Sequence, residues 1–193
     1  GAKAIDTLRI EPAAWHLNEG HSVFLQLERM RKRVRDQGMS PSDALDDLKR
    51  NAVFTTHTPV PAGNEQFDPP LVKKYFAAWC AEVDVSPEEL IGLGKAHDDD
   101  GQFNLTALAV RTSSWANGVS KLNGEVASDM WRHLFPPEAG EQPIIGLTNG
   151  VHARTWLGRE MQKLLRRRFD ERWEDRLLSP EGWEAIYEIS DRD

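Results

Sequence analysis

The chain has a single cysteine, Cys80, among its 193 residues. No internal disulfide is available, and a reducing compartment, the cytoplasm, is expected. Cys80 lies in a helical pattern with Tyr75, Phe76 and Trp79 and has no nearby basic partner, so a small buried apolar role is predicted for its thiol. Long hydrophobic runs are also missing. No stretch approaches the ~20 apolar residues that cross a bilayer, and residues 1–8 lack the basic head and apolar run of a secretory leader. No membrane partner is expected. Positive charge is in deficit, with 24 Lys and Arg against 31 Asp and Glu and a formal net charge of -7. Nucleic-acid binding usually needs a broad basic surface. The best candidate, Arg166-Arg167-Arg168 beside Lys163, is followed at once by Glu171, Glu174 and Asp175 and reads as a solvated helix face. Neither a Gly-x-Gly-x-x-Gly or Walker sequence nor a Gly-x-Ser-x-Gly elbow occurs, which leaves dinucleotide, P-loop and serine-hydrolase sites unsupported.

What is present is ordinary for a globular domain: 39% hydrophobic and 28% charged residues, in a length that can enclose one core. Short apolar segments alternate with helical patterns. Strands are predicted over residues 13–17, 52–56 and 144–147, and residues 115–120 as a third strand or a tight loop. Val23, Phe24, Leu27, Met30 and Val34 repeat at helical spacing towards a stop at Gly38. Ser40 caps a second helix with Pro41 at its first position. A helix over 70–83 is predicted to turn Leu71, Tyr75, Ala78 and Trp79 to one side, and Ser86 with Glu89 makes a capping box. Residues 103–110 read as a helix, 126–134 as another, and the chain beyond 150 as helical. Trp183, Ile186 and Tyr187 share one helix face running into Asp191-Arg192-Asp193. That ending, and Gly1 in place of Met, predict a longer parent polypeptide.

Alternating strands and helices predict an α/β fold with a Rossmann-like, mostly parallel sheet covered on both faces. Ligands of such sheets bind where strands end in loops. The polar clusters stand there: Asn18-Glu19-Gly20-His21 after the first strand, His57-Thr58 after the second, Asn117-Gly118 in the third, and Asn149-Gly150-Val151-His152 after the fourth. His57 can be a strand cap or a donor aimed into a cleft, and Asn149-Gly150 alone fits a tight turn. No metal site is expected. His16, Glu19 and His21 lack zinc-protease spacing, and Asp98-Asp99-Asp100 lacks the spaced oxygens of a calcium loop and reads as a solvated turn.

The same segments carry a family resemblance. Trp15-His16-Leu17-Asn18-Glu19-Gly20-His21 resembles the cleft loop of bacterial-type α-glucan (glycogen and maltodextrin) phosphorylases. Residues 53–63, Val-Phe-Thr-Thr-His-Thr-Pro-Val-Pro-Ala-Gly, are similar to another signature of that family. Phe103-Asn104-Leu105-Thr106, Asn117-Gly118-Val119-Ser120-Lys121-Leu122 and Thr148-Asn149-Gly150-Val151-His152, leading to Trp156-Leu157, follow in family order. The resemblance implies a two-domain glycosyltransferase architecture of the type called GT-B, with residues 1–193 forming the later part of the N-terminal Rossmann-like domain. The implied activity is transfer of a terminal glucosyl unit from an α-1,4-glucan to inorganic phosphate, giving glucose 1-phosphate.

By the same resemblance His57 would touch the glucosyl unit, its ring at the 6-hydroxyl and its carbonyl towards the anomeric centre. Asn149 would bond the same hydroxyl. The backbone at Gly118-Val119 would lie close by, and Asn18, Glu19 and His21 would line the cleft. Two positions depart from relatives: Asn123 stands where many have histidine, and Glu19 where animal and plant members have aspartate. The family uses pyridoxal 5'-phosphate, whose lysine belongs to the second domain. The chain alone is therefore expected to bind no cofactor and to be catalytically incomplete, needing the remainder of its parent. Two other readings stand beside this one. A non-catalytic glucan-binding module would use the seven tryptophans for stacking. A nucleotide-sugar glycosyltransferase of the same architecture would need a basic, glycine-rich donor loop, and none is seen.

Overall fold

The computed structural model describes residues 1–97, 101–176 and 179–190. The predicted Asp98-Asp99-Asp100 turn and residues 191–193 lie outside them. The chain divides into two compact units, Gly1–Asn149 and Gly150–Asp193.

The first unit begins with a short helix α1 (Ala2–Thr7) and is organised by a four-stranded sheet. Its strands are β1 (Trp15–Asn18), β2 (Ala52–Thr56), β5 (Trp115–Gly118) and β6 (Ile145–Gly146), side by side in that order and all parallel. The second and fourth predicted strands start and end close to these bounds, but only two residues of the fourth pair in the ladder. The register puts Leu17, Phe54 and Ala116 in one row, and all three are buried.

The expectation that helices cover both faces is corrected. On the other face His16 and Asn18 are exposed, Trp115 is 60% exposed and Ile145 38%. The cause is topological. Strands laid down in chain order in one direction, each joined by a right-handed crossover, put every connecting helix on the same side.

That covered side is built by helices whose sequences explain them. After a 3-10 turn (Gly20–Val23), α2 (Phe24–Gln37) buries Leu27 and Met30 and stops at Gly38, in the left-handed conformation at φ 68°. A glycine takes this conformation without a Cβ penalty. Ser40 caps α3 (Pro41–Arg50), its hydroxyl accepting from the Asp43 N–H. A 3-10 turn (Pro61–Gly63) and β3 (Gln66–Phe67) lead into α4 (Pro69–Val83). This helix buries Val72, Cys80 and Val83, with Phe76 and Trp79 half-buried. The predicted stripe is therefore wrong by about one residue's rotation: Leu71 and Tyr75 are exposed. Residues 72, 76, 79, 80 and 83 form an equally regular helical stripe, and packing against α2 selects it. Burial also pushes the Cys80 thiol pKa up, as expected for an inert packed cysteine.

The capping box opens α5 (Pro87–Leu93) as predicted. The helix predicted from residue 103 starts later. Phe103–Asn104 forms β4, antiparallel to β3, and Asn104 caps α6 (Leu105–Arg111) by accepting from the Ala107 N–H at 2.9 Å. Every residue of α6 from Leu105 to Val110 is buried, as suits a helix running through a core. Finally α7 (Lys121–Trp131), extended by a 3-10 turn (Arg132–Leu134), packs on β5 and β6, and another 3-10 turn (Pro137–Ala139) precedes β6.

One buried group was not anticipated. Arg29 on α2 is 4% exposed. Its guanidinium donates to Gln26 Oε1 (2.6 Å), the Leu48 carbonyl (3.1 Å) and Asn51 Oδ1 (2.5 Å), and lies 4.9 Å from the centre of the Trp15 ring. Burial pulls its pKa down to about 10.

Two surface ion pairs tie α2 to its neighbours, Arg31 with Glu82 on α4 (3.2 Å) and Arg33 with Asp47 on α3 (2.5 Å), and Arg31 also pairs within α2 with Glu28 (2.7 Å). The hydrogen bond from Arg31 holds the Glu28 carboxyl below its ordinary pKa, and that from Arg33 does the same for Asp47. A depressed carboxylate pKa stabilises the fold above the unfolded value, about 4, and that contribution is lost as pH falls through the folded value. Thermal unfolding is therefore expected to move down below pH ~4. Arg33→Gln should shrink the pH dependence, by on the order of 1 kcal/mol or less for partly exposed pairs. An acid limb identical in wild type and variant would refute this source.

The second unit is helical: α8 (Ala153–Trp156), α9 (Arg159–Arg168), α10 (Trp173–Arg176), α11 (Pro180–Glu184) and a closing 3-10 turn (Ala185–Glu188). It buries Leu165 and Trp173. The arginine cluster ends α9, where positive charge suits the helix dipole. Arg166 pairs with Glu171 at 3.5 Å and Lys163 with Glu160 at 2.9 Å, in line with a solvated charged face. Tyr187 is 91% exposed. No helix among the described residues is long and apolar enough to cross a membrane.

Candidate functional site

Because all four strands run in one direction, the segments that leave them share one edge of the sheet. Hydrogen bonds join these segments in series. Past β1, the Glu19 N–H continues the ladder to the Thr55 carbonyl at 2.9 Å. Glu19 itself sits at φ 66° and ψ 166°, a region that glycine alone visits freely and that costs other residues of order 1–3 kcal/mol. This conformation accompanies a carboxylate turned to the end of β2. Glu19 Oε1 accepts from the His57 N–H, from the Thr58 N–H at 2.9 Å and from the Thr58 hydroxyl at 3.3 Å.

Past β2, the His57 carbonyl faces the side-chain amide of Asn123, on the first turn of α7, at 3.4 Å. The Asn123 oxygen accepts from the Val119 N–H at 3.0 Å. Past β5, the Val119 carbonyl accepts from the backbone N–H of Asn149 at 3.0 Å, and the Gly118 carbonyl from Leu147 at 2.9 Å. A chain of contacts thus runs Glu19, His57, Asn123, Val119, Asn149, linking the ends of all four strands.

Among the residues singled out in the sequence, Glu19, His57, Gly118, Val119 and Asn149 are brought together in this way. The side chains of His57 and Asn149 are exposed at the edge. Both backbone polar groups of Val119 are occupied, so what it can offer a ligand is contact rather than a free donor. His21 is exposed on the 3-10 turn after β1. With Glu19, Thr58, Asn64, Glu65 and Thr106 it lines a small polar depression. Asn18, last in β1, lies in register with Thr55 and, through it, Asn117, on the open face of the sheet. Residues 148–150 form no tight turn and Gly150 has no positive φ; the N–H groups of Leu147 and Asn149 instead go to the Gly118 and Val119 carbonyls.

Sequence reasoning missed two contributors. Asn123 was noted only as a departure from relatives: the Ser120-x-x-Asn123 spacing marks a helix cap, with the Ser120 hydroxyl accepting from the Asn123 N–H at 3.1 Å, but it says nothing of what the Asn123 side chain meets. The other is a polar row on the open face, which periodicity does not signal. His16 Nε2 lies 2.6 Å from the Thr55 hydroxyl, which donates to Asn117 Oδ1 at 2.9 Å. A hydroxyl has one proton. With it given to Asn117, His16 must be the donor to Thr55, which fixes its proton on Nε2.

The strand-end residues do not fit pyridoxal phosphate. That group needs a lysine for its imine and donors for its phosphate, whereas the acidic Glu19 stands here and Lys121, on the first turn of α7, is exposed. Among the described residues no group of three His, Cys, Asp or Glu side chains could hold a metal ion.

The fold and this edge define an α/β protein with a polar crevice at the ends of a parallel sheet. Sequence comparison finds its relatives. The chain is 38% identical along its whole length to maltodextrin phosphorylase of Thermococcus litoralis. It is 36% identical over 92% of its length to glycogen phosphorylase of Mycobacterium tuberculosis, and 27% identical over 98% to glycogen phosphorylase of Aquifex aeolicus. No family model matches it. Along nearly all of its length the chain is thus similar to glycogen and maltodextrin phosphorylases. It spans about a quarter of the length of these relatives: 23%, 21% and 27% respectively.

Proposed function

We propose that the chain is the later part of the N-terminal domain of an α-glucan phosphorylase of GT-B architecture, and that its strand-end edge supplies the glucosyl-binding half of the cleft. The whole enzyme transfers the terminal glucosyl unit of glycogen or maltodextrin to inorganic phosphate, giving glucose 1-phosphate. Pyridoxal phosphate, held by the remainder of the polypeptide, supplies proton transfer to the attacking phosphate. The observation that carries this reading is the joining of all four strand-end segments by hydrogen bonds, with the side chains of His57 and Asn149 left exposed at that edge.

In this reading His57 and Asn149 hold the 6-hydroxyl of the glucosyl unit, and the His57 carbonyl faces the anomeric centre, where a fixed dipole stabilises developing positive charge. Gly118 and Val119 let the sugar approach the backbone, while Asn18, Glu19 and His21 belong to the surrounding wall. A site built to bond a hydroxyl discriminates against substrates that lack it, because its own polar groups then stay unpaired.

Asn149→Ala in the full-length enzyme is expected to lower kcat/KM by about one to two orders of magnitude, from a lost hydrogen bond and an unpaired partner. The preference for a glucosyl over a xylosyl donor, which lacks the hydroxymethyl group, should shrink in the variant, since one bond cannot be lost twice. If both rates drop together and the preference is unchanged, Asn149 does not touch the 6-hydroxyl.

A further inference from the structure

The peptide unit joining His57 to Thr58 is gripped from both sides. Its N–H is donated to the Glu19 carboxylate at 2.9 Å, and its C=O faces the Asn123 amide at 3.4 Å. The preceding N–H, that of His57, also goes to Glu19. The orientation of the Asn123 amide is set independently, because its oxygen is already taken by the Val119 N–H at 3.0 Å. Only its NH₂ is left to meet His57, and an amide nitrogen can only donate. Glu19 is held in turn: its own N–H is in the ladder to Thr55, and its carbonyl accepts from the Ser22 hydroxyl at 2.8 Å. A non-glycine residue kept in so sparse a backbone region is one whose surroundings over-determine it.

We infer that Glu19 and Asn123 are positioning residues, which act on the substrate through the His57–Thr58 peptide and not by touching it. The inference rests on the glucosyl-binding reading of His57. A carboxylate at the N–H end of a peptide polarises it and adds negative charge to its carbonyl oxygen. The Asn123 donor at the other end fixes where that oxygen points. Glu19 thereby becomes a source of charge for the His57 carbonyl, whose loss affects a charged transition state more than a neutral bound sugar. Asn123 couples the same carbonyl to α7 and, through Val119, to Asn149, so the two residues assigned to the 6-hydroxyl share one frame.

Two near-isosteric variants of the full-length enzyme separate positioning from folding. Glu19→Gln keeps an acceptor for the amides and removes the charge. Asn123→Asp keeps the acceptor for Val119 and removes the donor to His57. Each is expected to lower kcat about tenfold while KM for maltodextrin changes less than about twofold. The double variant should lose less than the product of the two, since both act on one peptide. Hydrogen exchange of peptides covering residues 54–60 should speed up in Glu19→Gln. Unchanged exchange there overturns the clamp, and faster exchange with unaltered kcat overturns its role in the reaction. A full-length protein with no phosphorolysis at all would overturn the functional reading instead, and exchange would still decide the clamp.

Discussion

Arg29→Ala is expected to lower folding stability by about 3–5 kcal/mol, enough to leave a marginal domain largely unfolded. The guanidinium is nearly enclosed, and its lowered pKa shows that the charge itself is costly there. What retains it is the set of acceptors around it. The Leu48 carbonyl lies in the last turn of α3 and has no helical partner of its own, while Gln26 Oε1 and Asn51 Oδ1 are drawn in by the same group. Gln26 reaches on to the Thr112 carbonyl at the end of α6, and Asn51 to the Ala13 carbonyl before β1. Removing the arginine leaves several buried acceptors unpaired at once, at about 1–3 kcal/mol each before relaxation. Arg29→Met tests the mechanism. It restores most of the volume but none of the donors, so it should recover only the packing share. If the arginine served mainly as apolar bulk against Trp15, Met would restore nearly everything. Urea unfolding of the three proteins distinguishes the cases. A loss below about 1 kcal/mol in Arg29→Ala would mean that water replaces the guanidinium.

That hub also shows where sequence stopped being informative. Helices with strong local signals were legible: Ser40-Pro41-x-Asp43, the Ser86-Glu89 box and the Gly38 stop each rest on contacts within a few residues, and the structure contains all three. Arg29 was not, because its partners lie on segments up to 22 residues away and an arginine in an amphipathic helix reads as surface. The face of α4 was ambiguous for a related reason. Leu71, Tyr75, Ala78 and Trp79 make as good a stripe as Val72, Phe76, Trp79, Cys80 and Val83, and only the neighbouring α2 decides. At the candidate site, Asn-, His- and Gly-bearing segments after strands were recognisable by type and place. The link between them was not. Asn123 joins the ends of β2 and β5 from a helix, and nothing local marks that contact. The open sheet face escaped prediction because strand order, which determines it, is not written in any one segment.

Gly118→Ala is expected to cost stability at the upper end of the ~1–3 kcal/mol typical of overpacking, and to impair the site beyond that. The glycine is not there for its backbone freedom, since its φ is not positive. It is there for space. A Cβ at this position would lie 2.7 Å from the Gly124 nitrogen and 2.9 Å from the Asn123 carbonyl carbon, and would strike the Asn123 side-chain oxygen. Two of these three atoms are backbone and cannot rotate away, so the first turn of α7 must move as a body. The far side is no looser: a Cβ on Gly124 would meet the Gly146 nitrogen at 2.7 Å, and one on Gly146 the Lys121 Cα at 2.6 Å. Displacing α7 pulls Asn123 from both Val119 and the His57 carbonyl. The variant should therefore show lower kcat even at temperatures where it is fully folded. Gly92 supplies the contrast. It is exposed within α5, and a Cβ there meets nothing within 4 Å. Gly92→Ala should be stabilising by about 0.5–1 kcal/mol through helix propensity and leave kcat unaltered. The same added methyl is thus expected to act with opposite sign at two glycines, and thermal unfolding read beside kcat tests it. A Gly118→Ala enzyme with unchanged Tm and kcat would show that α7 yields freely, and that its seating on β5 does not hold His57 in place.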